Sequence, residues 1–580
     1  MNYIHYNIRP SYINTENGIR EFQKAMKDFL EDKEHSVMVL KAPTGSGKTF
    51  GFYMLNEKNN VLIIMPNNEL VEQVYNDIKK MGKNVKKITA SDLDLIENSQ
   101  GMDRKSAFNS LISSPFDDNY FVVTNPEILL RLVINKYTIS DRIDEISLLR
   151  KNGFNLIIID EFHVYNIQQL KEIAAIMYIL QRSFKILLTS ATPNYSFLEP
   201  LEKAIGENRI IKYNVKRQID GSDIIQGPLC VNIYYNQKIE DFIDENIKSI
   251  NNGKWLFILD KIICIEMVYN KLLNHKVNPN DISLFDGYHN DKNWNRRIIL
   301  SSNILEQGIN IPATENVVIE PGKSAVNLEQ RLGRVGRGRS EYSNVYIILK
   351  NISEKNFDCK IENYDKLIDK FYQIFPKRER KFGEYSLGVQ IAKIAENFSY
   401  RMRYALYREF IKDYKEIRHG YLDFIVINNA ILKNNLIKNN KKVANVIQTW
   451  WNNYKETMET FINGDRKIKI KDLTLDGKDI DTEYSEIWIR RFKDIVGNKA
   501  LNSRSKPLKI SLKVSGIPFC NMVIDYSEIY NARKKIKDCA DVEISEIRNL
   551  FTNIIFDEKL KDIIYSTADQ DRLKVISIED

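Results

Sequence analysis

The sequence predicts an α/β fold in which two parallel, helix-covered sheets are followed by a mainly helical C-terminal region, and three observations predict it. Short apolar runs at 37–40, 61–65, 156–159 and 186–188 alternate with longer helix-like stretches over residues 20–193. Each run is too short for a helix and is followed by polar or turn-forming residues. A second set of runs, at 255–259, 282–285, 297–300, 317–319 and 345–349, begins after a break marked by Gly221, Gly227 and Pro228. Beyond residue 351 amphipathic stretches dominate, notably 387–414 and 443–462, with a strand at 508–514 and a polar Asn/Lys-rich loop at 433–442. The expected division is therefore 1–205, a linker at 206–228, 229–352, and an accessory region at 353–580. In open parallel sheets, ligands meet the C-terminal ends of the strands, and the informative residues should follow these runs.

Composition narrows the class. A chain of 580 residues with 43% hydrophobic and 28% charged residues buries a sizeable core and is neither disordered nor collagen-like. No run approaches the ~18 apolar residues of a membrane span, and the first residues lack the apolar stretch of a secretory signal, so the cytoplasm is the expected compartment. Five cysteines are scattered with no C-x-x-C pair, which indicates neither a zinc site nor a disulfide framework. The 85 basic residues exceed the 77 acidic ones by 8, a mild bias compatible with a polyanionic partner.

The run 37–40 leads into Ala42-Pro43-Thr44-Gly45-Ser46-Gly47-Lys48-Thr49 and then a helix-like stretch. Backbone N–H groups of such a loop, with the following helix N-terminus, wrap a phosphate. Lys48 neutralises β/γ charge and the Thr49 hydroxyl ligates Mg²⁺, although Ala42 stands where the strict pattern has Gly. The run 156–159 ends in Asp160-Glu161-Phe162-His163. Asp160 is placed to hold Mg²⁺ and Glu161 to polarise an attacking water. Alone such a pair is often a strand cap; with a phosphate cradle it points to ATP or a related nucleotide.

Ser190-Ala191-Thr192 follows the run 186–188, where its hydroxyls can bond to the carboxylate strand end and sense the γ-phosphate. Across residues 330–339, arginines recur on a helical spacing that sets Arg334 and Arg337 on one face. Guanidinium groups so close together favour phosphate, which makes these two candidate arginine fingers; a solvated basic helix is the bland alternative.

The set and order of these motifs over residues 20–349 resemble a superfamily 2 helicase, with tandem RecA-like domains. Arg20-Glu21-Phe22-Gln23 resembles the segment whose glutamine, Gln23 here, reads adenine. Residues 42–49 resemble motif I, 65–70 motif Ia, 124–127 the next strand-contacting motif, 160–163 a D-E-x-H form of motif II, 190–192 motif III, 301–311 motif V and 330–337 motif VI. The resemblance implies that Pro66, Asn67, Thr124, Asn125 and Ser302 approach a nucleic-acid strand. By the same token Gly308 and Asn310 meet the nucleotide, Asn310 standing where Asp is usual, and His163, Ser190, Thr192 and Gln330 couple hydrolysis to movement.

Within the superfamily, residues 304–310 and the D-E-x-H box resemble the helicase of type I CRISPR interference systems. None of the six histidines is followed by Asp, so the resemblance is to the separate, nuclease-lacking helicase subunits of type I-A or I-D. That implies 3′ to 5′ movement on single-stranded DNA, with an HD-type nuclease subunit and a CRISPR effector complex as partners. RNA remodelling, DNA repair and a nucleotide-gated clamp without turnover stay open. Residues 286–294 run almost directly into the strand before motif V, as though a helix common in the family were trimmed. Tyr400, Tyr404 and Tyr407 interleave with arginines, and Trp450 adjoins Trp451; strand stacking and core packing both account for them.

Overall fold

The structure, a computed structural model, describes residues 3–102 apart from 58, then 104–112, 119–133, 149–193 apart from 166, 198–285 apart from 261, and 293–302. It further describes 315–375 apart from short gaps at 323, 338–341, 351, 353 and 358–359, then residues 391 and 394, and four strands between 467 and 524. The chain opens with β1 (Tyr3–Ile8), β2 (Ser11–Ile13) and the short pair β3 (Thr15–Glu16) and β4 (Ile19–Arg20). β5 (Val37–Lys41), β6 (Asn60–Ile64), β7 (Val85–Ile88), β8 (Phe121–Thr124), β9 (Phe154–Ile159), β10 (Lys185–Ser190) and β11 (Ile210–Asn214) form one sheet, in the order β11-β5-β10-β9-β6-β8-β7. Every pairing in it is parallel.

A parallel sheet must be covered on both faces, so its strands read as continuous apolar runs. The central strands β5, β6 and β9 are almost wholly buried for that reason. Phe22, Met26 and Phe29, one apolar stripe of the helix Glu21–Glu31, pack against Met38, Leu40, Val61 and Ile63.

After β12 (Asp223–Gln226), a second sheet contains β13 (Leu229–Tyr235), β14 (Trp255–Ile258), β15 (Ile282–Phe285), β16 (Ile298–Ser301), β17 (Asn316–Ile319) and β18 (Ser343–Leu349), in the order β1-β13-β18-β17-β14-β16-β15. Its two faces carry separate cores: Leu256 and Ile258 of β14 join one, Trp255 and Phe257 the other. These are the tandem RecA-like α/β units that the sequence predicts.

Two segments fall differently from a simple division of the chain. The first strand, β1, pairs antiparallel with β13 at the edge of the second sheet, and β2 pairs with β12. Within the stretch expected as a linker, β11 extends the first sheet by pairing with β5. Both segments are short and half-polar, with no apolar run long enough to announce a strand. The N-terminal segment is further held by Tyr6 Oη donating to Phe357 O at 2.6 Å and Arg9 N to Glu362 O at 2.9 Å.

In the C-terminal region the described elements are β19 (Lys467–Leu473), β20 (Asp479–Ser485), β21 (Leu508–Val514) and β22 (Ile517–Ile524), an antiparallel sheet in the order β20-β19-β22-β21. The amphipathic stretches 387–414 and 443–462, with Tyr400, Tyr404, Tyr407, Trp450 and Trp451, lie outside the described residues except for Ile391 and Ile394. Residues 286–292 also lie outside them. Among the described residues no helix is long and apolar enough to cross a membrane.

Ile8, 1% exposed on β1, belongs to the core of the second sheet. Ile8→Ala should lower that unit's stability by about 3 kcal/mol, read as an earlier denaturant midpoint; an unchanged midpoint would mean that β1 contributes nothing to this core.

Candidate active site

Sheet order explains why motifs distant in sequence meet. Along the C-terminal edge of the first sheet the neighbours β5, β10, β9, β6 and β8 are followed by the Gly-rich loop, Ser190-Ala191-Thr192, Asp160-Glu161-Phe162-His163, Pro66-Asn67 and Asn125. The first three therefore share one cleft, and the last two stand beside it.

The Gly-rich loop turns on two glycines in the left-handed region, Gly45 at φ 77° and Gly47 at φ 78°. Gly47 caps the helix Lys48–Met54, whose first residues Lys48 and Thr49 face the loop. Lys48 is 7% exposed; its Nζ donates to Ala42 O at 3.1 Å and lies 3.8 Å from Glu161 Oε1. Ser46 Oγ is fully buried and has no hydrogen-bond partner, an atom left over for a ligand. Behind the loop, Gln23 Nε2 donates to Gly47 O at 3.1 Å and Gln23 Oε1 accepts from Arg20 N at 3.0 Å. Gln23 thus buttresses the loop.

Asp160 directly follows β9 and is 3% exposed; its Oδ1 accepts from Glu161 N at 2.8 Å and from Thr189 Oγ1. Glu161 takes φ 49°, a left-handed conformation that costs a non-glycine residue about 1 kcal/mol. Burial raises the Asp160 carboxyl, and the charge of Glu161 pushes the same way. Burial also raises Glu161, but Lys48, His163, Arg334 and Arg337 together outweigh it and bring that carboxyl below the usual carboxylate range. Burial takes His163 down to about 4, so at neutral pH it carries no charge. The cations that hold Glu161 ionised are then Lys48, Arg334 and Arg337.

From this carboxylate a chain of polar contacts leads to the second sheet. His163 Nδ1 lies 3.3 Å from Glu161 Oε2 and 2.9 Å from Ser190 Oγ; Thr192 N donates to Ser190 Oγ at 3.0 Å; and Gln330 Nε2 donates to Thr192 Oγ1 at 2.8 Å.

The second sheet supplies the opposite wall. The expected helix carrying Arg334 and Arg337 stops short: it runs Ala325–Leu332, and both arginines lie in the turn beyond it. Gly333 and Gly336, the latter at φ 68°, break the helix that the arginine spacing alone suggested. The turn still brings both arginines to the cleft. Thr44 Oγ1 donates to Gly333 O at 2.8 Å, tying the Gly-rich loop to it. Burial, then the neighbouring Arg334, lower Arg337 to about 9, as befits two guanidinium groups that share one carboxylate. Arg331 is used otherwise: 2% exposed, it reaches Asp260 Oδ1 at 2.5 Å and anchors the helix to the sheet.

The residues expected at a nucleic-acid strand divide. Asn67 caps the helix Asn68–Lys80, accepting from Leu70 N at 2.9 Å, and Asn125 Oδ1 accepts from Ile128 N at 3.0 Å at the start of Pro126–Val133. Asn125 Nδ2 also donates to Asn68 Oδ1 at 2.9 Å, so two helix N-termini stand side by side, with Pro66 half-buried next to them. Thr124 and Ser302 are buried, and the Thr124 hydroxyl is spent on Ile88 O at 2.5 Å. Gly308 and Asn310 lie outside the described residues.

Residues 20–201 match the DEAD/DEAH box helicase family, and residues 280–339 match the helicase conserved C-terminal domain. Both matches are to domains of helicases. No protein of curated function matches the sequence. Among solved structures the chain is similar to the DUF1998 helicase MrfA bound to DNA, at 14% identity over 68% of this chain and 56% of that chain, with a TM-score of 0.48. MrfA bound to DNA and AMPPNP aligns at 15% identity over 68% and 59%, with a TM-score of 0.46. Dbp5 of S. cerevisiae bound to RNA and ADP BeF3 aligns at 15% identity over 61% and 87%, with a TM-score of 0.39. The chain spans less than two thirds of the length of the MrfA chains.

The cleft fits a magnesium nucleotide. Asp160 and the Thr49 hydroxyl are hard oxygen donors, and phosphate oxygens complete the set that magnesium prefers. A cation at Asp160 also offsets the burial that raises its carboxyl. Sequence reasoning missed Arg20, which donates to Ser46 O and ion-pairs with Asp223 at 3.3 Å, and Thr189, the partner of Asp160. Arg20 lies in the segment already singled out for Gln23; Thr189 ends an apolar strand and gives no separate signal.

A Cβ on Gly333 would run into Thr44 Oγ1 and approach Glu329 O to 3.1 Å. Gly333→Ala should therefore push the arginine turn off the Gly-rich loop and cut ATP turnover about tenfold, with the thermal unfolding temperature little changed. Wild-type turnover would show that this close approach is dispensable.

Proposed function

We propose that this chain is a motor that couples ATP hydrolysis to 3′ to 5′ movement along single-stranded DNA, as the helicase of a type I CRISPR interference system whose nuclease is a separate subunit. The observation that carries the motor reading is the polar path Glu161–His163–Ser190–Thr192–Gln330, which links the ATP-facing carboxylate to the second sheet. A phosphate that enters or leaves beside Glu161 alters the first link, and the last link is a contact between the sheets, so nucleotide state and sheet position share one equilibrium.

In this reading the N–H groups of Thr44, Gly45, Ser46 and Gly47 cradle the phosphates, and Lys48 exchanges its bond to Ala42 O for phosphate oxygens. Thr49 and Asp160 would hold Mg²⁺, which would supply positive charge to the bound phosphates. Glu161, kept ionised by the surrounding cations, orients the attacking water. Arg334 and Arg337 stabilise charge on the transferring group. Neutral His163 passes the state of Glu161 to Ser190, while Thr192 and Gln330 carry it across. Gln23 supports the loop from behind, and Gly308 and Asn310 complete the nucleotide contact. The paired helix N-termini at Asn67 and Asn125 suit phosphate of a strand, with Pro66 beside them; Thr124 and Ser302, both buried, do not offer their side chains to it.

DNA and the defence role rest on the likeness of residues 304–310 to CRISPR helicases, and the separate nuclease on the absence of an adjacent His-Asp pair in the sequence. An HD-type nuclease subunit and a CRISPR effector complex are the partners this reading requires.

Purified protein should hydrolyse ATP faster with single-stranded DNA than with RNA or without nucleic acid. Lys48→Ala and Glu161→Gln should each lower turnover by at least about 100-fold. Wild-type turnover by either variant would overturn the site, and stimulation by RNA alone would overturn the choice of DNA.

A further inference from the structure

The arginine turn lies beyond its helix, contains two glycines, and places two cations next to each other. Within it Val335 N donates to Leu332 O at 3.0 Å and Arg337 Nε to Gly333 O at 3.0 Å, and Thr44 reaches Gly333 O from the Gly-rich loop. A side chain from the segment between the sheets adds two further bonds. Gln226 is 3% exposed at the end of β12, and its Nε2 donates to Leu332 O at 3.0 Å and to Val335 O at 3.1 Å. These carbonyls bracket Gly333 and Arg334. The next residue continues the grip, with Gly227 N donating to Gly336 O at 2.7 Å.

Gln226 is itself locked. Its Oε1 accepts from Arg217 Nη1 at 3.0 Å, and the Arg217 side chain is 9% exposed. The Arg217 guanidinium carbon lies 3.9 Å from the centroid of the Tyr364 ring, and Tyr364 Oη donates to Glu329 O at 3.0 Å, on the helix that leads into the turn. A ring of contacts thus runs from the helix through Tyr364, Arg217 and Gln226 back to the turn. Each member is held by the next, as placement of a catalytic group to within about 0.5 Å requires.

We propose that Gln226 is a positioning residue that sets Arg334 and Arg337 against the transferring phosphate, with Arg217 holding its amide in the donating orientation. This rests on the arginine-finger reading of the site. Because Gln226 belongs to the segment joining the sheets, the arginines take their place only when that segment is seated. A group that acts through the arginines affects the transition state more than the bound nucleotide.

The test is ATP turnover by Gln226→Met, which keeps the length and loses both donated bonds, and by Gln226→Glu, which keeps the acceptor for Arg217 and turns an oxygen toward the two carbonyls. Each should lower kcat about tenfold with KM within about threefold, and equilibrium binding of an ATP analogue to both variants verifies folding. In an Arg337→Ala background the Gln226→Met effect should shrink to under about twofold. Wild-type kcat in both Gln226 variants, or an equal loss in the two backgrounds, would overturn the positioning role. If Arg337→Ala itself turns over at the wild-type rate, the arginine-finger reading fails first, a result separable from the other two.

Discussion

Everything in the cleft depends on the burial of charge. Asp160, Glu161, Lys48, Arg334 and Arg337 lie within one region from which water is largely excluded, and unpaired charge there is costly. Cations from both sheets favour the ionised Glu161 carboxylate, and its negative charge in turn offsets the repulsion between the two guanidinium groups. The site is complete when the sheets meet; drawn apart, each would hold charges without partners. Closure and readiness for phosphate are then one physical condition, and a nucleotide changes both by bringing its own charge.

The scaffold serves this condition from several directions. Parallel strands deliver the Gly-rich loop, the carboxylates and the Ser190 hydroxyl to one edge, and the arginine turn arrives from the second sheet. The N-terminal segment adds β1 to the second sheet, pairs β2 with β12, and ends at Arg20 beside the Gly-rich loop, so it ties together the same parts that the cleft joins. Gln226 sits in that tied segment. The connection between the sheets is therefore a packed element with its own bonds to the turn that carries Arg334 and Arg337, which limits the ways in which the sheets can separate.

Much of the fold and the core of the site were legible because both rest on local patterns. Apolar runs such as 61–65 and 156–159 mark buried parallel strands, and Gly45 and Gly47 before Lys48 mark a turn that only glycine adopts cheaply. The helix expected through Arg334 and Arg337 was misjudged because arginine spacing was weighed above Gly333 and Gly336. β1 and β11 escaped notice because edge strands carry little apolar signal. Gln226 and Thr189 were invisible for a different reason: their meaning lies in partners 29 to 109 residues away, which no local pattern encodes.

We propose that Arg334 and Arg337, whose charges lower the Glu161 carboxyl, reach the transferring phosphate when nucleotide is bound. An experimental structure of the chain with Mg²⁺, ADP and beryllium fluoride tests it directly. The account predicts guanidinium nitrogens of Arg334 and Arg337 within ~3 Å of the fluoride, with the Gln226 bonds to Leu332 O and Val335 O intact. Arginines pointing away from a fully occupied phosphate site would contradict it.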